Sequence, residues 1–238
     1  MRFSIDVGGE LELKLHEAIL LYRNEQASRY MATVHSIVQT ASSGAPVLGA
    51  GQLLTTTVLR ELARTLGTAC PVEFLPEQVV ARTPEQLAWW TPAAIGPIFF
   101  RAGSELGDVS GQRFPHPALL FALRNGSLYV RALRSNRRPT AATQLFAAPY
   151  WNIGNDGAVC PGTMRAPKSS TVTTMSAWEQ AFFQSEFTHP GGAGRLTKRK
   201  GGTAALWNGL AGKKQFPLAA LIETERLAAY LRALETPR

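Results

Sequence analysis

From Ser4 to Val38 apolar and polar side chains alternate, first in "SIDVGGELELKL" and again in "RYMATVHSIV", which is the two-residue period of strands with one buried face. Pro46 and the pair Gly49 and Gly51 interrupt the pattern. "QLLTTTVLRELARTLG" then changes the period: Leu54, Val58, Leu62 and Leu66 fall on one face of a helix that Gly67 closes. Short strands follow in "EQVVARTPEQLAWW", and Pro92 breaks the run after Thr91. A boundary is expected there, between an N-terminal α/β extension, 1–91, and a second domain, 92–238.

The second domain has the clearer pattern. "PIFFRA", "ALLFALRNGSLYVRAL" and "TQLFAAP" contain four strand-like runs, and Asn125-Gly126 between the middle two is the pair that a type I′ hairpin turn requires. Chain order predicts an antiparallel four-stranded meander ending at Pro149, with flanking helices, and the class is α+β. The first of these helices opens at "SAWE", where Ser176 and Glu179 have capping-box spacing, and carries Trp178, Phe182 and Phe183. "THPGGAGRLTKRKGG", with Pro190 and five glycines, reads as a loop, and "LAALIETERLAAYLRALE" as a helix with Leu227, Tyr230, Leu231 and Leu234 on its inner face.

Composition narrows the class. In 238 residues, 45% hydrophobic, no apolar run reaches the eighteen that a membrane helix needs, and the first residues lack the basic-then-apolar layout of a signal peptide. A cytoplasmic protein without a membrane partner is expected. Two cysteines make no disulfide framework, and the four histidines (His16, His35, His116 and His189) are too scattered for a zinc site, so no metal or cofactor is expected. The net charge of +8 is uneven: 109–222 holds 14 Lys and Arg against three acids, while the rest of the chain is net negative. An acidic partner, protein or nucleic acid, is steered to that stretch.

The same stretch holds Cys160, in "YWNIGNDGAVCPG". A free cysteine is most often a small core residue, and Cys70, between Ala69 and Pro71, gives no reason to think otherwise of it. Cys160 differs in three ways. It follows a Gly-rich polar turn of the kind that stands exposed. Arg165 and Lys168 lie just downstream, a basic setting that favours a nucleophilic sulfur. Asn152 lies eight residues upstream, where a turn at 154–157 can fold its amide back to donate to an oxyanion forming on a carbon bound to that sulfur.

The segment "YWNIGNDGAVC" resembles the active-site segment of the ubiquitin-conjugating (UBC) enzymes, in which His-Pro-Asn is followed across a glycine-containing turn by Gly-x-Ile/Val-Cys. The Asn-to-Cys offset and Gly157-Ala158-Val159-Cys160 match, while Tyr150-Trp151 replaces the His-Pro. His189 instead follows the cysteine by 29 residues, as in a bacterial branch of the superfamily, prokaryotic family D. "APYWN", "VCPGTMR" and "WEQAFFQSEFTHPGGAGRLT" are similar to the protein B family of the PRTRC cassette of plasmids and other mobile elements. The resemblance implies a UBC-like fold and a thioester carrier. Cys160 would take a ubiquitin-like protein from a ThiF-like activating enzyme, and Asn152 would stabilise the oxyanion. His189 would either accept the proton of the attacking amine or act as a structural cap on its loop. Other cassette proteins, a ParB-like one among them, are further implied partners.

The loop "GRLTKRKGG" (Arg195, Lys198, Arg199, Lys200) has three readings: a solvated surface, a docking site for an acidic protein, or a nucleic-acid contact to which six arginines between Arg113 and Arg138 would add if their faces agree. The second and third make a non-catalytic basic adaptor the alternative to the transferase. A hydrolase using the Cys/His pair is a weaker third class.

Overall fold

Strand pairing and contacts divide the chain into two units, 1–71 and 72–238. The computed structural model describes residues 15–23, 30–40, 45–65, 73–191 and 195–235. The break falls before the strands of 79–91 rather than after Thr91, because those strands are hydrogen-bonded into the sheet of the second unit.

In the first unit β1 (Glu17–Arg23), β2 (Tyr30–Gln39) and β3 (Pro46–Leu53) form an antiparallel sheet in that order, followed by α1 (Thr56–Thr65). The glycines that interrupt the sequence pattern are part of β3. Side chains of β2 lie over them: a Cβ at Gly49 would stand 2.6 Å from Ser36 Oγ and 3.1 Å from Ser36 O, so a larger residue there would have to displace Ser36. The alternating run from Ser4, the helix end at Leu66 and Gly67, and Cys70 lie outside the described residues.

The second unit begins with β4 (Val79–Arg82) and β5 (Gln86–Thr91). Three short strands follow, β6 (Ala94–Pro97), β7 (Phe99–Phe100) and β8 (Arg113–His116), then β9 (Ala118–Arg124), β10 (Ser127–Leu133) and β11 (Gln144–Ala147). The chain continues through α2 (Met175–Phe183), β12 (Glu186–Phe187), α3 (Gly202–Asn208), β13 (Glu223–Arg226) and α4 (Leu227–Glu235). The main sheet has six strands in the order β13-β11-β10-β9-β5-β4, and every neighbouring pair is antiparallel. Asn125 and Gly126 both have positive φ, 47° and 77°, as the type I′ turn between β9 and β10 demands.

"PIFFRA" does not join this sheet. Its β7 pairs in parallel with β12, and β5 takes the place beside β9. β9 is buried from Ala118 to Leu123, so it needs a partner that is apolar on both faces, and Leu87, Ala88 and Trp89 supply one. On one face Trp89, Phe121, Val130 and Phe146 share a core with Trp178 and Phe182 of α2 and Trp207 of α3. On the other, Ala88, Leu120, Ala122 and Leu145 meet Leu227, Tyr230 and Leu234 of α4.

Two helix boundaries differ from the pattern. The capping box is Thr171 with Thr174, ahead of Ser176, and Glu179 instead accepts a 2.8 Å bond from Trp89 Nε1. "IETER" forms β13 against β11, so α4 starts only at Leu227. Arg124 then donates to the carbonyl of Glu235, which a helix end leaves unpaired, and Gln86 to that of Leu231.

Candidate active site

β11 pairs with β10 only through Arg131 and Ala132, so the first half of β10 needs another neighbour. Residues 153–159 provide it. Val130 N donates to Gly157 O (2.8 Å) and Val159 N to Leu128 O (2.9 Å). The intervening turn is closed by Gly157 N on Gly154 O and by Ala158 N on Asp156 Oδ1. It is also held from beneath, since buried Arg131 donates to Asn155 O and pairs with Glu225, and Tyr230 donates to Asp156 O. Gly157, at φ 88°, admits no side chain, because a Cβ would stand 2.6 Å from Tyr230 Oη. Cys160 emerges from this anchored edge free and exposed.

What links Asn152 to Cys160 is the backbone. Cys160 N donates to Asn152 O (2.7 Å), and Asn152 N donates to His189 O (2.9 Å). The peptide groups of Asn152 thus join Cys160 on one side to His189 on the other. Asn152 is 2% exposed with φ 58°, a conformation asparagine tolerates better than other residues with a side chain. Its side-chain bonds all run to residues 186–189. Nδ2 donates to Glu186 O (2.9 Å), while Oδ1 accepts from Thr188 N (3.0 Å), Thr188 Oγ1 (3.0 Å) and His189 N (3.4 Å). Among the described residues one of the two Nδ2 hydrogens is therefore left over, and the nitrogen lies 3.8 Å from where a Cβ on Gly162 would stand.

Residues 186–191 form a strap along the cysteine segment. Glu186 N donates to Thr163 Oγ1 (2.8 Å), just past Cys160, so Glu186 ties both flanks of the cysteine. Buried Gly191 lies directly on the backbone of Ile153. Thr163, Thr188 and Gly191 carry no sequence signal for this role, since their partners are remote in the chain.

Tyr150 occupies the place of the histidine in the resembled motif, and a histidine from elsewhere meets it. Nε2 of His116, on β8, lies 3.1 Å from Gly96 O and so donates to it, which leaves Nδ1 to accept the Tyr150 hydroxyl hydrogen (2.9 Å). Burial pushes His116 from 6.5 down to about 4 and raises Tyr150 well above its ordinary value. Trp151 is core, edge-on to Phe100. The buried pair carries a pH prediction. Between about 6.5 and 4 the unfolded chain binds a proton at His116 that the native state refuses, so stability is complete above that window and falls as pH drops through it. The loss attributable to His116 is about 3 kcal/mol. Urea unfolding at both ends of the window should show a smaller decline in His116→Gln than in the parent; an equal decline would refute the assignment.

A cleft of about 700 Å³ starts at Thr163, lined also by Arg165, Gln180, Gln184, Glu186 and Phe99. A second, apolar one of about 620 Å³ lies between Trp90, Leu119, Met175 and Phe183, with Glu179 in its wall. Arg195, Lys198, Arg199 and Lys200 are exposed, and among the described residues no ion pair engages them. Of the six arginines of 113–138, Arg113, Arg134, Arg137 and Arg138 are exposed, and Arg134 lies 3.8 Å from Glu223. Arg131 is buried, and Arg113, Arg124 and Arg138 bond carbonyls of the chain itself. Among the described residues no group of three His, Cys, Asp or Glu can hold a metal ion, and no helix is long and apolar enough to cross a membrane.

The family model described as prokaryotic E2 family D matches residues 56–224, from α1 into β13. No curated protein and no solved structure matches.

Proposed function

The chain belongs to prokaryotic E2 family D, and from that premise we propose that Cys160 carries a ubiquitin-like protein as a thioester and passes it to an amine. A ThiF-like enzyme adenylates the carboxyl end of the ubiquitin-like protein and holds it as a thioester. The Cys160 thiolate attacks that carbonyl carbon, a new C–S bond forms, and the activating enzyme's sulfur leaves. An amine nitrogen then attacks the carbon, the C=O electron pair moves to oxygen, and the amine's proton passes to His189. The C–S bond breaks with its pair on Cys160 Sγ, and the product is an amide. The spare N–H of Asn152 meets the oxyanion.

The observation that carries this reading is the placement of Asn152, bonded through its backbone to exposed Cys160 on one side and to His189 on the other. The cleft beginning at Thr163 has room for part of either reactant. The resemblance to the PRTRC protein B family makes the ubiquitin-like and ThiF-like proteins of such a cassette the first partners to try. The test is to incubate the protein with both and ATP and to read intact mass. An adduct removed by dithiothreitol, absent in Cys160→Ser, supports the transferase; a charged activating enzyme that yields no adduct refutes it.

The exposed cations of 195–200 favour a second reading, a basic adaptor for DNA or an acidic cassette protein. It predicts salt-sensitive binding unchanged by Cys160→Ser and lost on charge reversal of Lys198, Arg199 and Lys200. Binding that does not weaken with salt would exclude its DNA form.

A further inference from the structure

We infer that Thr188 is a positioning residue that decides which nitrogen of His189 is free to take a proton; the inference rests on the transfer reading above. The argument is a count of hydrogens. Asn152 can face only one way, because the atom 2.9 Å from Glu186 O must be its nitrogen and the atom 3.0 Å from Thr188 N must be its oxygen. Thr188 Oγ1 lies 3.0 Å from that same amide oxygen, which carries no hydrogen, so this bond takes the one hydrogen of Thr188. Nδ1 of His189 lies 2.8 Å from Thr188 Oγ1, which has only lone pairs left to offer. The bond exists only if Nδ1 carries the hydrogen.

His189 is thus fixed as the Nδ1–H tautomer, with its lone pair on Nε2. Nε2 has no partner among the described residues, and the ring is exposed. A base that must take a proton from an incoming amine needs this form, since the other tautomer presents an N–H where a lone pair is required. When Nε2 gains the amine's proton, Nδ1–H keeps its bond to Thr188, so no group has to turn. The chain Asn152–Thr188–His189 also joins the two functions, because the amide that meets the oxyanion fixes the hydroxyl that orients the base.

The test reads the tautomer directly. With ¹⁵N-labelled histidine, at a pH alkaline enough for the ring to be neutral, His189 should show Nδ1–H in the parent and in Thr188→Ser. Thr188→Val, which keeps the backbone bond to Asn152 but lacks the hydroxyl, should lose that preference. His189→Gln assigns the signals among the four histidines. Single-turnover discharge of the Cys160 thioester to free lysine should fall about tenfold in Thr188→Val, with loading unchanged, and recover in Thr188→Ser. Nε2–H in the parent, or Nδ1–H retained in Thr188→Val, overturns the inference. A parent that shows Nδ1–H yet never forms the thioester refutes the transfer reading instead, and with it any role for Thr188 beyond ordering the strap.

Discussion

Gly191→Ala should cost about 3 kcal/mol or more of stability and lift the strap from the cysteine segment. A Cβ at this position would overlap the carbonyl carbon and oxygen of Ile153 and stand 2.7 Å from its nitrogen. These are backbone atoms, which cannot rotate away as the tip of a side chain can. Ile153 cannot retreat either, being fully buried and bridged to Val159. Gly103→Ala is the control: its φ is 75° with no atom within 4 Å of a Cβ, so it isolates the conformational cost, about 1–2 kcal/mol. Denaturant unfolding measures both. Hydrogen exchange at the amides of Asn152 and Thr188, which bond across the strap, should accelerate in Gly191→Ala and not in Gly103→Ala. Near-parent stability with unchanged exchange would mean that the strap is not held by this contact.

The sequence shows the residues of the candidate site better than its scaffold. Cys160, Asn152 and the turn between them are close in the chain, and a glycine at 157 with an asparagine at 152 are residues that local backbone geometry demands. The Asn125-Gly126 turn is legible for the same reason. What cannot be read is pairing at a distance. β5 and the "PIFFRA" run are both short and apolar, and only the full burial of β9 decides which lies beside it, since a strand covered on both faces loses its alternation. "IETER" reads as helix because α4 follows it, yet the edge of β11 claims it as a strand. The strap is invisible for a related reason. Thr188 and Gly191 act through Asn152 and Ile153, more than thirty residues away in the chain, and nothing in the local sequence announces those partners. His116 is the same case in the core, a scattered histidine whose role is set by Tyr150.

Replacing Asn152 should slow discharge of the Cys160 thioester to lysine about a hundredfold while leaving its loading near the parent rate. The choice of replacement matters, because the proposed mechanism gives Asn152 three tasks: its φ of 58°, the latch to the strap, and the spare N–H. Alanine loses the latch and the N–H and adds about 1 kcal/mol or more of backbone strain. Glycine loses the same groups without the strain, so Asn152→Gly should be the more stable of the two with the same discharge defect. Aspartate keeps the oxygen that Thr188 bonds but turns a second oxygen toward Glu186 O, two acceptors where a 2.9 Å bond stood. It should loosen the strap most at Glu186 and add a negative charge where the oxyanion must form, making its discharge the slowest of the three. If the amide were only a latch, discharge would track strap opening, and Gly191→Ala, which keeps the amide, would match Asn152→Gly at equal amide exchange. A slower Asn152→Gly at equal exchange assigns the remainder to the N–H. Equal loss of loading and discharge in every variant would assign Asn152 to folding and leave the oxyanion without its donor.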